Sequence, residues 1–233
     1  MKLEVKDIMA MIDHTNLKQG ITVADLKKLC DEAIKFGFCS VCVHPSNVAI
    51  CKEFVKNSKV KVCAVVGFPL GENQPELKAL EAKMAHENGA DEIDMVISNS
   101  MVKRGDYDGL LKDVNGVQAS CPTCVHKVII ETCLLTKEEI VKVSETLLKS
   151  NCDFVKTSTG FCGAGATPEN VALIKSIVKD NKLIKAAGGI SGAKDAIAMI
   201  EAGASRLGTS KGGLIADQLI NGVTAQADDK KGY

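Results

Sequence analysis

The stretch Asp153-Phe154-Val155-Lys156-Thr157-Ser158-Thr159-Gly160 shows the unit from which the whole fold can be worked out. Its apolar, β-branched residues predict a buried strand, and the hydroxyl residues and glycine that follow predict a turn. A helical segment then begins at Thr167-Pro168-Glu169-Asn170, where a capping hydroxyl residue precedes a proline in the first turn. Strand, turn and helix in this order make one β/α unit.

The same unit occurs eight times along the chain. We predict strands at residues 11–14, 38–43, 60–67, 92–97, 127–132, 154–158, 183–187 and 206–208. Helical segments are predicted at residues 22–36, 46–56, 75–88, 106–119, 136–149, 167–180, 192–202 and 213–221. Eight units in 233 residues predict a single-domain (β/α)8 TIM barrel over residues 1–224, followed by a mobile polar tail at residues 225–233.

A doubly wound open sheet is the alternative architecture. It calls for a glycine-rich dinucleotide loop after the first strand, and Thr15-Asn16-Leu17-Lys18 stands there instead. Several predicted strands are also continuous apolar runs, as expected where helices cover the sheet. The barrel is therefore the favoured fold.

Composition argues against several classes of function. The chain has 29 Lys and Arg residues and 29 Asp and Glu residues, so its formal net charge is zero. A nucleic-acid partner held by a basic surface is therefore not expected. We find no secretory signal and no apolar run long enough to span a membrane, so we expect a cytoplasmic protein without a membrane partner.

The ten cysteines are expected to be reduced thiols in that compartment. Two C-x-x-C pairs, Cys39 with Cys42 and Cys121 with Cys124, could together hold a tetrahedral zinc ion. We predict no metal, because the first pair lies in a strand-like run whose neighbouring side chains point to opposite faces. Most of the cysteines are expected to pack as small core residues.

Three charged residues interrupt apolar strands: Lys156, Asp94 and Lys185. An isolated buried charge costs roughly several kcal/mol, so we expect the three side chains to face one another at the mouth of the barrel. Loss of water disfavours the charged form of a lysine, and a neutral amine attacks carbonyl groups. For each residue alone, a structural ion pair or a lysine that reaches out to water remains the alternative.

Polar residues at the other strand ends extend the predicted site. Glycine-rich turns at Gly188-Gly189 and Gly208-Thr209-Ser210-Lys211-Gly212-Gly213 follow strands seven and eight, where this fold usually binds phosphate. His14 is expected to belong to a structural hydrogen-bond network. Substrate contacts are predicted at Asp13, Thr15, Cys42, Lys127, Thr159, Gly160, Gly188, Gly189, Gly208 and Ser210.

The chain resembles the deoxyribose-phosphate aldolases, a family of class I (Schiff-base) aldolases, over nearly its whole length. The resemblance rests on Ile12-Asp13-His14-Thr15-Asn16-Leu17, Val65-Val66-Gly67-Phe68-Pro69-Leu70-Gly71, Gly89-Ala90-Asp91-Glu92-Ile93-Asp94-Met95-Val96, Lys127-Val128-Ile129-Ile130-Glu131-Thr132, Phe154-Val155-Lys156-Thr157-Ser158-Thr159-Gly160, Lys185-Ala186-Ala187-Gly188-Gly189-Ile190 and Gly203-Ala204-Ser205-Arg206-Leu207-Gly208-Thr209-Ser210. Together these stretches are highly specific.

The resemblance implies a (β/α)8 fold and reversible cleavage of 2-deoxy-D-ribose 5-phosphate, a small phosphorylated sugar. It implies that Lys156 forms the Schiff base and that Asp94 and Lys185 relay protons. It places the phosphate group at Gly188, Gly189 and Ser210. It implies no metal or organic cofactor, and for barrels of this kind we expect a homo-oligomer, a dimer or a tetramer.

Two features of the chain vary within that family. Some members end in a tyrosine that assists proton transfer, and Tyr233 ends this chain. Some members carry a lysine where Phe161 stands here. Two other functions remain open: a Schiff-base aldolase with a different donor, and a non-catalytic protein that binds a phosphorylated ligand.

Overall fold

A closed barrel of eight parallel strands forms the centre of the computed structural model, which describes residues 4–222. Neighbouring strands follow chain order, and β8 closes the ring against β1. The strands are β1 (Ile12–Thr15), β2 (Ser40–Val43), β3 (Lys61–Val66), β4 (Glu92–Val96), β5 (Val125–Ile129), β6 (Phe154–Lys156), β7 (Leu183–Ala187) and β8 (Arg206–Thr209).

Ten helices surround the barrel between residues 4 and 222. They are α1 (Val5–Met9), α2 (Val23–Phe36), α3 (Val48–Val55), α4 (Pro75–Glu87), α5 (Asn99–Lys103), α6 (Tyr107–Ser120), α7 (Lys137–Leu147), α8 (Pro168–Val178), α9 (Ala193–Glu201) and α10 (Gly212–Ile220). Two 3-10 turns, Pro45–Asn47 and Thr132–Leu134, complete the described elements. Within the described part of the chain, none of the helices is long and apolar enough to cross a membrane.

The predicted (β/α)8 barrel is confirmed, and the differences from prediction lie at strand ends. β5 begins two residues earlier and ends three residues earlier than predicted, so Lys127 lies in its middle rather than at its start. Glu131 has a left-handed backbone, with φ of 53°, and a strand cannot continue through that conformation. The short helices α1 and α5 were not predicted, because five residues carry too little periodicity. The tail at residues 225–233, including Tyr233, lies outside the described residues.

Helix ends follow the local sequence signals. Thr22 caps α2 by accepting a hydrogen bond from the Asp25 N–H, and the Asp25 carboxylate accepts one from the Thr22 N–H in return. Gly37 ends the same helix with φ of 69°, a conformation that glycine adopts without a steric penalty. Thr167 caps α8 by accepting a hydrogen bond from the Asn170 N–H, with Pro168 in the first turn, as predicted.

The two faces of each strand have different surroundings. Residues that point outward, such as Ile93, Val128 and Val155, are fully buried against the helices in one large apolar core. Residues that point inward fill the barrel. Asp94 pairs with Lys127 on β5, and Lys156 pairs with Lys185 on β7, so the register places these charged residues side by side.

Candidate active site

The interior of the barrel is charged rather than aliphatic. Seven ionisable side chains contact one another there, and we call them the barrel charge cluster. They are Asp13, Glu92, Asp94, Lys127, Lys156, Lys185 and Arg206. Branched aliphatic residues usually fill barrels of this type, so the charges at these positions are unusual for a purely structural core.

Asp94 on β4 is the centre of the cluster. Its Oδ2 lies 2.6 Å from the amine of Lys156 and 2.7 Å from the amine of Lys185. Its Oδ1 lies 2.9 Å from the amine of Lys127 and accepts a hydrogen bond from the Cys63 thiol. Burial alone would raise the pKa of Asp94, but the three ammonium groups outweigh burial and hold that pKa well below its usual range. Asp94 is therefore an anion shared by three cations.

Lys185 on β7 is held between two carboxylates. Its amine lies 2.5 Å from Asp13 Oδ2 as well as 2.7 Å from Asp94 Oδ2. Burial alone would lower the pKa of Lys185, but these two carboxylates outweigh it and raise the pKa above its usual value. Gly208 makes room for the side chain, since a Cβ atom at that position would lie 3.0 Å from Lys185 Cε. Lys185 therefore stays protonated. Gly208 lies within β8 rather than in the loop that follows it, and its lack of a side chain leaves room for Lys185.

Asp13 and Lys127 face the cluster from below the mouth. Asp13 accepts hydrogen bonds from Ser40 at 2.7 Å and from Arg206 at 2.8 Å. The amine of Lys127 lies 2.6 Å from Glu92 and is fully buried. Asp13 and Lys127 thus make these hydrogen bonds and ion pairs with other side chains inside the barrel.

Glu92 and Arg206 were missed by the sequence analysis. Both begin a strand, where a charged residue usually faces water, and here both point into the barrel with side chains 4% and 13% exposed. A usable signal was present for Glu92, because Glu92 and Asp94 are two residues apart and must therefore share one face of β4. No such signal marks Arg206.

A second group of residues shapes the mouth beside Lys156. Glu131, in its left-handed conformation, accepts hydrogen bonds from both the hydroxyl and the N–H of Thr159. Burial raises the pKa of Glu131, although the bonds from Thr159 oppose the shift. Glu131 therefore fixes the turn that connects Lys156 to Gly160, a role that was not predicted for it.

The predicted phosphate turn at Gly188-Gly189 lies against the loop after β6 at the same rim. Gly188 and Gly189 have positive φ angles of 82° and 76°, and Gly160 has 83°. A Cβ atom at Gly165 would lie 2.2 Å from the carbonyl carbon of Gly188, so only glycine permits this close approach. Ser210 is exposed between β8 and α10, as a residue of an accessible loop should be.

Aromatic rings cover the site. Phe161 in the loop after β6 packs edge-on against Phe68 in the loop after β3, with 5.1 Å between ring centroids. Phe68 also meets His44, at 5.9 Å. Since β3 and β6 lie on opposite sides of the ring of strands, Phe68 and Phe161 meet across the mouth of the barrel. Lys156 itself is only 3% exposed.

Three further predicted residues, Thr15, Cys42 and His14, lie outside the barrel charge cluster. Thr15 is half-buried at the end of β1, and its hydroxyl donates to the Asp13 backbone oxygen. Cys42 is fully buried inside the barrel, and its thiol contacts that of Cys63. His14 points outward instead and contacts Glu32 at 2.7 Å, which fits the expected structural network.

A metal ion fits poorly at this site. Between residues 4 and 222, one group has ligand atoms spaced for a metal: Cys42, Cys63 and Asp94. Lysine ammonium groups already surround these atoms, with Lys127 Nζ 3.4 Å from Cys63 Sγ, and they would repel a further cation. The two C-x-x-C pairs are separate, because Cys42 lies inside the barrel while Cys121 contacts His126 on an outward face.

Comparisons with known proteins match nearly the whole chain. A model of the DeoC/LacD family aldolases matches residues 7–224. The chain is 47% identical over 221 residues to a deoxyribose-phosphate aldolase of Malacoplasma penetrans, covering 95% of this chain and 100% of that one. It is 51% identical over 219 residues to one of Carboxydothermus hydrogenoformans, covering 92% and 96%.

A solved structure is similar as well. The deoxyribose-phosphate aldolase of Aeropyrum pernix, described as having a unique tetrameric structure, superposes with a TM-score of 0.88 at 29% identity. The match covers 95% of this chain and 94% of that one. An aldolase is a lyase, an enzyme that breaks or forms carbon–carbon bonds, and a buried lysine beside a shared carboxylate suits that chemistry. The chain belongs to the DeoC/LacD family of aldolases.

Proposed function

We propose that this aldolase reversibly cleaves 2-deoxy-D-ribose 5-phosphate to D-glyceraldehyde 3-phosphate and acetaldehyde through a Schiff base on Lys156. The observation that carries the proposal is the contact of Asp94 Oδ2 with the amines of both Lys156 and Lys185. A nucleophilic amine, a carboxylate and a second ammonium group meet at one oxygen, directly below the mouth. The names of the relatives supply the sugar, deoxyribose phosphate.

The charge balance of the cluster favours Lys156 as the reacting amine. The barrel charge cluster has four basic and three acidic members, so one positive charge is left over when all seven are ionised. Lys127, Lys185 and Arg206 each contact two or more carboxylates. Among the carboxylates of residues 4–222, Lys156 contacts only that of Asp94, and its side chain is 4% exposed. Lys156 is therefore the basic residue of the cluster that is held by the fewest carboxylates.

The chemistry then follows from these positions. The Lys156 amine attacks C1 of the open-chain sugar, and water leaves to form the protonated imine. Asp94 and Lys185 move the protons for this dehydration and, through water, for removal of the C3 hydroxyl proton. The imine accepts the electron pair of the C2–C3 bond as it breaks. Glyceraldehyde phosphate leaves, and the enamine takes a proton at C2 and is hydrolysed to acetaldehyde.

The phosphate group of the sugar fits the glycine turns. Gly188 and Gly189 expose backbone beside Gly160, and Ser210 precedes the first turn of α10. Backbone N–H groups and a helix N-terminus both favour an anion. Thr15 in β1, Cys42 in β2 and Thr159 in the turn after β6 are proposed to contact the sugar. Asp13 and Lys127 belong to the charge cluster and Gly208 packs against Lys185, and we propose that they support the substrate from this position.

Two further expectations belong with this proposal. Tyr233 assists proton transfer, as in some members of the family. The protein forms a homo-oligomer, a dimer or a tetramer, in line with the tetrameric description of the Aeropyrum pernix relative. Light scattering on the purified protein, and removal of the last residue with turnover measured before and after, test these two expectations separately.

Trapping the Schiff base tests the central claim. We expect treatment with acetaldehyde and sodium borohydride to leave one ethyl group on Lys156, located by peptide mass spectrometry. Lys156→Met should form no adduct there and should lose turnover by more than about 10³-fold, as expected for loss of a nucleophile. An adduct confined to Lys185 would refute the assignment.

Donor selection separates the neighbouring functions. An aldolase with another donor would condense dihydroxyacetone rather than acetaldehyde with glyceraldehyde 3-phosphate. A non-catalytic binding protein would bind phosphate and form no adduct with either. The proposal requires acetaldehyde to be the preferred donor.

A further inference from the structure

Two cysteines from different loops meet at the mouth of the barrel. Cys133 lies exposed in the 3-10 turn after β5, and Cys162 lies half-buried in the loop after β6. The Cys133 thiol donates a hydrogen bond to the backbone oxygen of Cys162 at 2.8 Å. The Cys162 thiol and the Ala164 N–H also lie within hydrogen-bonding reach of the Cys133 sulfur. The two thiols are therefore already in contact in the reduced protein.

This pair is more accessible than the other thiol pairs. Three further pairs of contacting thiols are buried on both sides: Cys30 with Cys51, Cys42 with Cys63, and Cys121 with Cys124. Susceptibility of a thiol to oxidation rises with its exposure. A small oxidant in solution therefore reaches Cys133 and Cys162 before the buried thiols.

We propose that Cys133 and Cys162 are a site of oxidative modification, at which hydrogen peroxide joins them in a disulfide that ties the loop after β6 to the loop after β5. The link encloses β6 and Lys156 between its two ends. It would hold two of the loops that form the mouth in the arrangement in which Phe161 covers the site.

The order of the two sulfurs follows from their surroundings. Burial and the nearby Glu131 carboxylate raise the pKa of Cys133 to about 11, although the hydrogen bond from the Ala164 N–H opposes the shift. This thiol therefore keeps its proton near neutral pH. Cys162 therefore attacks the peroxide first. Its sulfur bonds to one oxygen, the O–O bond breaks, and the second oxygen leaves as water with the thiol proton, which produces a sulfenic acid.

Cys133 then completes the disulfide. Its sulfur attacks the Cys162 sulfur, the S–O bond breaks, and hydroxide leaves as water with the Cys133 proton. Glu131 Oε1, 3.7 Å from the Cys133 sulfur, can accept that proton on the way. Two thiols lose two electrons, one hydrogen peroxide gains two, and two waters form.

The consequence for activity comes from the loop at residues 160–166. The Ala166 N–H donates to the carbonyl of Gly188 at 3.1 Å, and Phe161 packs on Phe68 across the mouth. This loop thus connects the proposed phosphate turn with the aromatic cover. A bond at Cys162 restrains the residue next to Phe161, so the cover opens less readily.

The test is peroxide treatment of the whole protein. We expect non-reducing peptide mass spectrometry to show a link between Cys133 and Cys162, together with at least a tenfold fall in kcat/KM for deoxyribose phosphate that dithiothreitol reverses. Cys133→Ser should keep its activity and accumulate a sulfenic acid at Cys162 that dimedone labels. Cys39→Ser, which removes another half-buried thiol, should respond like the natural chain.

Each contrary result is informative. Absence of the linked peptides would overturn the proposal, and this readout does not depend on the identity of the substrate. Equal loss of activity in Cys133→Ser would show that another cysteine is responsible. If the disulfide formed completely and kcat/KM did not change, the claim that it restrains opening of the Phe161 cover would be overturned.

Discussion

The two faces of the barrel strands differ more than any other two regions of this molecule. On β4, Ile93 points outward into an apolar core, while its neighbour Asp94 points inward and contacts three lysine amines. The outward face is stabilised by burial of apolar surface, roughly 25 cal/mol per Å². The inward face removes charges from water, which costs free energy unless every charge is paired. Because side chains alternate along a strand, the outward face stabilises the fold and the inward face carries the charged residues of the candidate site.

Substitution of Asp94 by Asn should have the largest effect. Three buried ammonium groups would lose their shared carboxylate, so we expect the free energy of unfolding to fall by about 3–5 kcal/mol. Turnover should fall by about 10²–10⁴-fold, because the proton relay is lost as well. Urea unfolding followed by circular dichroism measures the first, and deoxyribose phosphate cleavage the second. Near-normal stability would mean that the cluster is not the paired network described here.

Acid should weaken the inward face before the outward one. The pKa values of Asp13 and Asp94 are lowered in the folded protein from 3.8, against the effect of burial, by the surrounding cations. Groups of this kind contribute stability that is fully present above the unfolded pKa and is lost as the pH falls through the folded pKa.

We therefore expect stability to decline steeply below about pH 4, where both carboxylates take up protons when the protein unfolds. Denaturant unfolding across this range measures the decline. Asp94→Asn should show a shallower dependence. An equal slope in the variant would contradict the role given to Asp94.

Glu131→Gln should affect the mouth without breaking the cluster. The amide has no negative charge, so Thr159 loses a charge-assisted hydrogen bond worth roughly 1.5 kcal/mol, and we expect kcat/KM to fall by about tenfold. Since burial raises the pKa of Glu131, the natural enzyme should lose efficiency on mild acidification as Glu131 gains a proton. The variant should lack that part of the pH profile. A purely structural Glu131 would leave the profile unchanged.

Ile93→Val, next to Asp94 on the opposite face, should have the smallest effect. Removal of one buried methylene from an apolar core costs about 0.5–1.5 kcal/mol. Turnover should stay within about twofold of the natural enzyme, since a loss of 1 kcal/mol in stability leaves the protein folded. The same two assays as for Asp94→Asn apply. A large loss of turnover would show that the two faces are not independent.

The sequence alone predicted most of the fold and the centre of the site. Alternating β/α units predicted the barrel because local patterning and chain order determine it. The lysines and the aspartate inside apolar runs identified Lys156, Asp94 and Lys185, since a charge in such a run needs partners nearby. Strand ends were less well predicted, as β5 shows, because a single left-handed residue, Glu131, ends it.

What the sequence by itself determined is therefore the barrel, its in–out alternation and the three residues at the centre of the site. Only the tertiary structure decided which charges meet. Closure of the ring brings Arg206 on β8 to Asp13 on β1, 193 residues away in the chain, and places Lys185 between Asp13 and Asp94. The physical reason is that burial and pairing depend on register across the barrel, and no local pattern contains that register.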